Sequence, residues 1–238
     1  MSADLHTRYL GLELDSPFVP SSSPLSKDLG MAKTLEDHGA SALVMYSLFE
    51  EEIEVEESRA HELAHFQDIG HGEASSYLPV HDELPSRRDE YLEQLRRLKE
   101  SLDIPVIASL NGTSPGGWVR HAKSLQQAGA DALELNVYHV AADINETSEA
   151  AEQRVVDILR GIRSEVSLPV AVKLSPQYSS IGNLVQRLEA AGADGVALFN
   201  RFYQPDIDLE QLTVEQTLQL SNSHESLLAM RWIAILRG

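Results

Sequence analysis

Lysine and asparagine side chains interrupt the apolar segments of this sequence at positions where they could bind a polar ring. Lys173 lies within the apolar run 168–174, and Asn200 directly follows a second run, 196–199. A buried lysine is costly unless its charge meets a partner, so Lys173 either pairs with an acidic neighbour or points into a ligand site. Asparagine carries both a donor and an acceptor, which suits a planar heterocycle with alternating N–H and C=O edges.

Similar polar residues close the other apolar segments. A lysine suits an electron-rich ring that gains negative charge on reduction, and a histidine could transfer a proton. If these segments are parallel strands, their carboxyl ends share one rim, which is where α/β proteins place ligands. The predicted rim residues are Ser21, Ser22, Tyr46, Ser47, Asn111, Asn136, His139, Lys173, Asn200 and Arg201.

A β-α-β unit must position Lys173 and Asn200. Between them, apolar residues recur at Ile181, Leu184, Val185 and Leu188, the spacing of one buried helix face. A crossover of this length requires the two flanking strands to lie parallel. Parallel strands are buried on both faces and are therefore almost wholly apolar, so a lysine in one of them is informative.

A Gly-Ala turn before an apolar strand recurs at Gly39, Gly129 and Gly192, which indicates an internally repeated helix–strand unit. Strands are predicted at 18–21, 42–48, 106–111, 132–138, 170–174 and 196–200, and helices at 27–38, 90–101, 118–127, 151–165, 181–190 and 226–236. These roughly six units predict a single α/β domain over residues 1–238, an incomplete (β/α)8 TIM-type barrel. A doubly wound sheet is the competitor, but SSSPLSKDLG after the first strand lacks the glycine-rich dinucleotide loop.

Two polar stretches, 50–88 and 204–225, interrupt the pattern after strand ends and are predicted to be an insert and a loop on the site's face. The insert contains His61-Glu62-Leu63-Ala64-His65, which matches the H-E-x-x-H zinc signature, with His71 beyond it. Glycine lies at position 70 rather than three residues after His65, where a metzincin turn needs it. A surface helix is the preferred interpretation, and a zinc-binding protein is a distant alternative.

Composition excludes several function classes. The net charge of −18 provides no basic surface for nucleic acid or anionic membranes. The absence of cysteine excludes disulfides, thiolate nucleophiles and cysteine-ligated clusters within this chain. The N-terminal residues do not resemble a signal peptide, and no apolar run approaches the ~18–20 residues that span a bilayer. We therefore expect a soluble, cytoplasmic protein that acts on a small molecule.

The rim residues lie in segments that resemble the dihydroorotate dehydrogenase family, in particular its bacterial dihydroorotate dehydrogenase-like branch. The matching segments are LGLELDSPFVPSSS, GASALVMYSLFEEEI, PVIASLNG, AGADALELNVY, PVAVKLSP and AGADGVALFNRFYQPDIDLE. The resemblance implies an FMN-dependent (β/α)8 barrel in pyrimidine biosynthesis, in which flavin N5 accepts a hydride from substrate C6. It assigns FMN to Ser21, Ser22, Tyr46, Ser47, Asn136, Lys173 and Phe199, the substrate to Asn111, Asn136, Asn200 and Arg201, and catalysis to His139, Lys173 and Asn200.

The sequence departs from the family at three of these positions. Tyr46 stands where the family has a lysine against the flavin, His139 where it has a Cys or Ser base, and Ala141 where it has an asparagine. Histidine accepts a proton near neutral pH, so the base could be retained. With these changes the resemblance implies dihydroorotate or a related small cyclic substrate, with FMN as the cofactor.

The family pattern continues for two more strands beyond the final helix of this sequence, strands that hold the FMN phosphate. The resemblance therefore predicts a C-terminally truncated barrel, or one completed by a homodimer or a second chain, with poor FMN retention alone. A barrel with a gap would leave unpaired strand edges, which natural folds avoid. An FMN-dependent dehydrogenase acting on a CH–CH group is the preferred hypothesis, and a non-catalytic barrel remnant or subunit is the alternative.

Overall fold

The computed structural model describes residues 3–53, 55–56, 58, 86–112, 115–137, 139–201, 205–215 and 220–237. Short 3₁₀ helices span Pro24–Lys27 and Ser223–Glu225, and residues 50–53 are helical. The helices are α1 (Leu29–Asp37), α2 (Arg87–Ser101), α3 (Pro115–Gln127), α4 (Ser148–Arg163), α5 (Ile181–Ala190) and α6 (Ser226–Leu236). The strands are β1 (Thr7–Tyr9), β2 (Leu12–Leu14), β3 (Leu43–Phe49), β4 (Val106–Gly112), β5 (Ala132–Val137), β6 (Val170–Leu174), β7 (Gly195–Leu198), β8 (Asp206–Asp208) and β9 (Thr213–Glu215).

The central sheet consists of β3, β4, β5, β6 and β7, which are parallel and follow one another in chain order. Chain order is the order of strands in a (β/α) barrel, whereas a doubly wound sheet reverses its order at a switch point. The predicted α/β fold of barrel type is therefore confirmed. The barrel is incomplete, because the described strands form an open sheet with β3 and β7 at its edges.

The three Gly-Ala turns adopt the backbone conformation that their sequence predicts. Gly39, Gly129 and Gly192 have φ angles of 93°, 97° and 100°, in the left-handed region that costs glycine least. The turns that contain Gly129 and Gly192 are each followed by an aspartate that bonds to the first residue of the preceding strand. Asp131 binds the backbone of Val106 through both its own N–H and its carboxylate, and Asp194 binds Val170 in the same way.

The segment 18–21, predicted to be the first strand, is not a strand in the structure. Its carbonyl groups nevertheless bond to the chain around β3: Phe18 O accepts from Ser41 N–H at 2.9 Å and Pro20 O accepts from Val44 N–H at 3.1 Å. Pro20 has no N–H, so at that residue the segment cannot return a hydrogen bond to form a regular ladder. This segment thus lies beside β3, on the side opposite β4.

The other predicted strands and all predicted helices are confirmed, with ends that differ by at most three residues. The helices α2 and α4 begin three residues earlier than predicted because Ser86 and Thr147 cap them by accepting backbone N–H bonds from Asp89 and Ala150. Asp28 caps α1 in the same way and separates it from the preceding 3₁₀ helix. Apolar periodicity identifies the buried part of a helix but not its polar first turn.

Register places the predicted rim residues side by side. Asn111 of β4 pairs with Asn136 of β5, and Asn136 pairs with Lys173 of β6. Paired residues of parallel strands point to the same face, so the three side chains form one polar row across the sheet. A register shift between Val44 and Ser47 in β3 means that the alternation of faces along this strand could not be predicted by counting residues.

Helices cover the outer face of the sheet, and the β1–β2 hairpin closes the amino-terminal end of its inner face. Leu10 and Leu14 of the hairpin are buried against Val44 and Ile107. A side chain at Gly195 would begin 3.0 Å from Leu10, so a residue without a side chain allows the hairpin to approach β7. The carboxyl-terminal end of the inner face is left for the polar row.

The two predicted interruptions are only partly described. Most of the insert 50–88, including His61, Glu62, His65 and His71, lies outside the described residues. The loop 204–225 contains a two-stranded antiparallel hairpin, β8–β9, which was not predicted. Within the described ranges, no helix combines the length and apolar character needed to cross a membrane.

Candidate active site

The polar row opens into a cavity of about 830 Å³ at the carboxyl end of the sheet. This volume lies within the ~300–1,000 Å³ typical of small-molecule sites. Residues from every part of the predicted rim line it: Ser22, Tyr46, Ser47, Asn111, Asn136, Lys173, Asn200 and Arg201. The structure therefore brings most of the predicted site residues together.

Lys173 has a charged partner and also faces the cavity, so the two interpretations of this lysine are compatible. Its Nζ lies 3.3 Å from Oε1 of Glu134, and the side chains are 16% and 6% exposed. Glu134 lies on β5 two residues before Asn136 and therefore on the same face of the sheet. The glutamate is a site residue that sequence analysis missed, although a lone glutamate in an apolar strand is the same signal that identified Lys173.

Asn136 and Asn200 are joined by a direct hydrogen bond. Asn200 Nδ2 donates to Asn136 Oδ1 at 3.0 Å, and the Asn200 backbone N–H donates to Leu174 O at 2.7 Å. Asn200 is thereby fixed at the end of β7. Among the described residues, the Asn136 amide nitrogen and the Asn200 amide oxygen have no other partner, so they present one donor and one acceptor to a ligand.

Serine hydroxyls connect the first segment to the sheet below the cavity. Ser22 Oγ lies 3.1 Å from Ser47 Oγ, which lies 2.9 Å from Ser109 Oγ. Ser109 also exchanges backbone hydrogen bonds with the Tyr91 hydroxyl, and burial raises the pKa of that phenol strongly. The chain of hydroxyls holds Ser22 against β3 and β4, so Ser22 is rigidly positioned at the rim.

Tyr46 is held in place by packing against neighbouring side chains. Its ring meets that of Tyr91 edge to face at 4.8 Å, and Lys27 Nζ lies 4.8 Å from its centroid. Burial, followed by the charge of Glu90, raises the pKa of the Tyr46 phenol. Tyr46 is therefore a neutral hydrogen-bonding group, and the nearby cation at this side of the cavity is Lys27 instead.

The outer wall of the cavity comes from residues that sequence analysis did not single out. Arg87 Nη1 binds Glu52 Oε2 at 2.7 Å across the insert, while Gln94 Nε2 donates to Ser26 O at 3.0 Å. Both Arg87 and Glu52 are about half exposed. Polar runs such as EEEIEVEE are usually solvated faces, so the sequence does not predict that Glu52 lines the cavity.

A second cavity, of about 660 Å³, lies on the other side of Lys173 and is bounded by the hairpin, the first segment and the end of β7. The predicted residues Ser21 and Phe199 line this cavity and not the first one. Burial and the nearby Glu134 raise the pKa of Tyr9, another of its lining residues, to about 12. The two cavities share Ser22, Lys173, Asn200 and Arg201, so these residues separate two adjoining chambers.

The predicted base His139 does not line either chamber. Its Nε2 lies 2.7 Å from Glu146 Oε2, beside a small cavity of about 150 Å³ that also contacts Ala141, Ser175 and Tyr178. Periodicity and strand-end position placed His139 on the rim, but they could not determine the path of the loop after β5. No group of three metal-binding side chains occurs in the described ranges, which do not include His61 and His65.

Comparison with known proteins now adds a second kind of evidence. No protein-family model matches the chain. It is 27% identical over 237 residues to the NAD-dependent dihydropyrimidine dehydrogenase subunit PreA of Escherichia coli K12, covering 89% of this chain and 52% of the relative. It is also 34% identical over 121 residues to dihydroorotate dehydrogenase A (fumarate) of Lactobacillus delbrueckii subsp. bulgaricus, covering 50% of this chain and 39% of the relative. The chain resembles the dihydroorotate dehydrogenases.

The catalytic subunit of dihydroorotate dehydrogenase B (NAD(+)) from Methanosarcina mazei is a further relative, 33% identical over 50% of this chain and 38% of its own length. These relatives are dehydrogenases, and the chain spans about half their length or less. Among solved structures, YagE of Escherichia coli K12, from the dihydrodipicolinic acid synthase family, aligns at 15% identity with a TM-score of 0.46 over 75% of this chain and 53% of its own.

Proposed function

We propose that this chain is an FMN-dependent oxidoreductase that oxidises dihydroorotate or a related small cyclic substrate, as in pyrimidine biosynthesis. The observation that carries the proposal is the row Asn111–Asn136–Lys173, which lines a cavity of about 830 Å³ at the carboxyl edge of a parallel sheet. The sequence similarity to dihydroorotate dehydrogenases supports it independently.

The lining residues fit an isoalloxazine ring chemically. They offer the largely buried ammonium of Lys173, three asparagine amides and the hydroxyls of Ser22 and Ser47. When bound, FMN supplies an acceptor for the hydride that leaves the substrate. Lys173 Nζ, held by Glu134, would donate a hydrogen bond to the edge of the ring that becomes negative on reduction.

Asn136, Asn200 and Asn111 would bind the substrate through its amide edges, with Arg201 at the mouth of the cavity. Asn136 and Asn200 are already locked to each other at 3.0 Å, so little ordering remains when a substrate binds. Ser21 and Phe199, in the second chamber, would contact the part of FMN that extends past Lys173. His139 would accept the substrate proton, which requires the loop after β5 to bring it over the cavity.

Titration of the purified chain with FMN, followed by quenching of flavin fluorescence, tests this proposal. Lys173→Ala should weaken FMN binding at least tenfold, which corresponds to ~1.4 kcal/mol. Lys123→Ala is the matched control, because Lys123 is exposed on α3 and forms an ion pair with Glu165 at 3.4 Å. Equal FMN affinity in the wild type and Lys173→Ala would contradict the proposal.

A non-catalytic barrel subunit, completed by another chain or a homodimer, is the second candidate. It is favoured by β7, an edge strand in the described sheet, and by α6, which exposes apolar side chains. Light scattering after size-exclusion chromatography should then show association that Leu227→Ser and Ile233→Ser weaken. A colourless protein that associates but binds no FMN favours this candidate, and a monomer that binds FMN excludes it.

A further inference from the structure

His139 and Glu146, on the loop that follows β5, are hydrogen-bonded to each other, and Glu146 is also hydrogen-bonded to Arg154 of α4. Glu146 Oε2 lies 2.7 Å from His139 Nε2, and Arg154 Nη2 donates to Glu146 Oε1 at 2.6 Å. These two contacts occupy both carboxylate oxygens of Glu146, whose side chain is only 9% exposed. Arg154 belongs to α4.

The protonation state of Glu146 determines which ring nitrogen of His139 carries the proton. The hydrogen bond from His139, assisted by the charge of Arg154, lowers the pKa of the Glu146 carboxyl, which is therefore ionised near neutral pH. An ionised carboxylate only accepts hydrogen bonds. The short contact at His139 Nε2 thus requires that nitrogen to be the donor, and a neutral ring then has its lone pair on Nδ1.

The other ring nitrogen of His139, Nδ1, is the one that could accept a proton from a substrate. Among the described residues, His139 Nδ1 has no hydrogen-bond partner, whereas Nε2 has Glu146. His139 follows Asn136 by three residues, and its backbone N–H donates to Val137 O at 3.1 Å, so the residue lies just beyond β5, while its ring lines the small cavity of about 150 Å³. A histidine oriented by a carboxylate through one nitrogen is arranged to accept a proton at the other.

We propose that Glu146 is the positioning residue that fixes His139 as the Nε2–H tautomer, so that Nδ1 accepts the substrate proton. This inference rests on the function proposed above. Dehydrogenation of a CH–CH bond removes a hydride and a proton and leaves a C=C bond. A bound oxidised flavin would supply the acceptor for the hydride, Nδ1 would accept the proton, and the electron pair of the C–H bond that loses this proton would form the new double bond.

The tautomer is measurable without flavin or substrate. The full chain, labelled with ¹⁵N-histidine, is studied by NMR in mildly alkaline buffer, and the His139 signals are identified by their loss in His139→Ala. The wild type should show a protonated Nε2 and an unprotonated Nδ1. Glu146→Gln should abolish this preference, because the amide can also donate to the ring. Glu149→Gln, an exposed change on α4, should leave it intact.

A kinetic readout separates this role from a structural one. In the FMN-loaded protein, Glu146→Gln should lower kcat roughly tenfold or more, within the ~10²–10⁴-fold contribution of general base catalysis, while KM and FMN affinity stay unchanged. An Nδ1–H tautomer in the wild type, or an unchanged tautomer in Glu146→Gln, would overturn the inference even if FMN binds. If the wild type has the Nε2–H tautomer but does not bind FMN, the proposed function is overturned and the assignment of the His139 tautomer stands. If Glu146→Gln does not fold, the tautomer of the wild type alone tests that assignment.

Discussion

At the scale of single residues, Glu134 and Lys173 are the pair on which the candidate site depends. Both lie in strands that are otherwise apolar, and their charged atoms meet at 3.3 Å between two cavities. A buried ion pair adds little net stability, but either charge is costly without the other. In the proposed function, the pair holds one cation at a fixed point of the rim.

The cost of breaking this pair gives a stability prediction. Glu134→Leu should lower the free energy of unfolding by about 3 kcal/mol, because Lys173 loses its countercharge while it stays largely buried. The double variant Glu134→Leu/Lys173→Met should recover most of that loss, since an apolar pair of similar volume packs in its place. Urea unfolding measures both values.

The exposed pair Lys123–Glu165 provides the reference for that experiment. Both side chains are well exposed, so Glu165→Gln should cost no more than ~1 kcal/mol. If Glu134→Leu destabilises the protein no more than Glu165→Gln, the charges of Glu134 and Lys173 are solvated and the account of the pair is wrong.

Some residues of the site could be predicted from the sequence and others could not. Asn111, Asn136 and Lys173 were found because strand ends in a parallel sheet share an edge and register then aligns them. Glu134 gave a signal that was overlooked. The position of His139 could not be predicted, because it depends on the path of a loop and on a carboxylate seven residues away in sequence.

At the scale of elements, helix starts are governed by polar caps that apolar periodicity does not reveal. Ser86 is the cap of α2: its Oγ accepts from Asp89 N–H at 3.2 Å and donates to Asp89 Oδ2 at 2.8 Å. That helix carries Arg87, Glu90 and Gln94 to the wall of the large cavity. The cap therefore helps to position the outer wall of the site.

Ser86→Ala should destabilise the protein by about 1 kcal/mol near neutral pH, the typical cost of losing a cap. The hydrogen bond from Ser86 lowers the pKa of the Asp89 carboxyl. The stabilisation that this hydrogen bond provides is therefore complete above the ordinary aspartate pKa and is lost as pH falls through the lowered pKa. Chemical denaturation across the acidic range should show the difference between wild type and variant shrinking as pH falls.

Thr147→Ala is the matched control for that experiment. Thr147 caps α4 by accepting from Ala150 N–H at 3.1 Å, and among the residues that the structure describes its side chain makes no hydrogen bond to an acidic side chain. Its replacement should cost a similar amount but with a weaker dependence on pH. A Ser86→Ala effect that stays constant from neutral to acidic pH would contradict the role given to Asp89.

At the scale of the whole molecule, the two edges of the described open sheet contribute to the same cavity. The segment that precedes β3 and the end of β7 both line the chamber of about 660 Å³, with Lys173 between this chamber and the larger one. Sequence repetition predicted the order of the strands and the α/β class. It could not predict that the hairpin β1–β2 closes the amino-terminal end, because that contact depends on Leu10 packing at Gly195.

The measurement that tests the central claim most directly is the absorbance spectrum of the FMN-loaded chain, recorded without oxygen before and after addition of dihydroorotate. We expect the chain to take up FMN added in excess and dihydroorotate to bleach its visible band, and we expect Lys173→Ala to take up less flavin than the wild type while Lys123→Ala takes up as much. Flavin that binds but stays oxidised would contradict dihydroorotate as the substrate. A wild-type chain that takes up no FMN would contradict the account of the site itself.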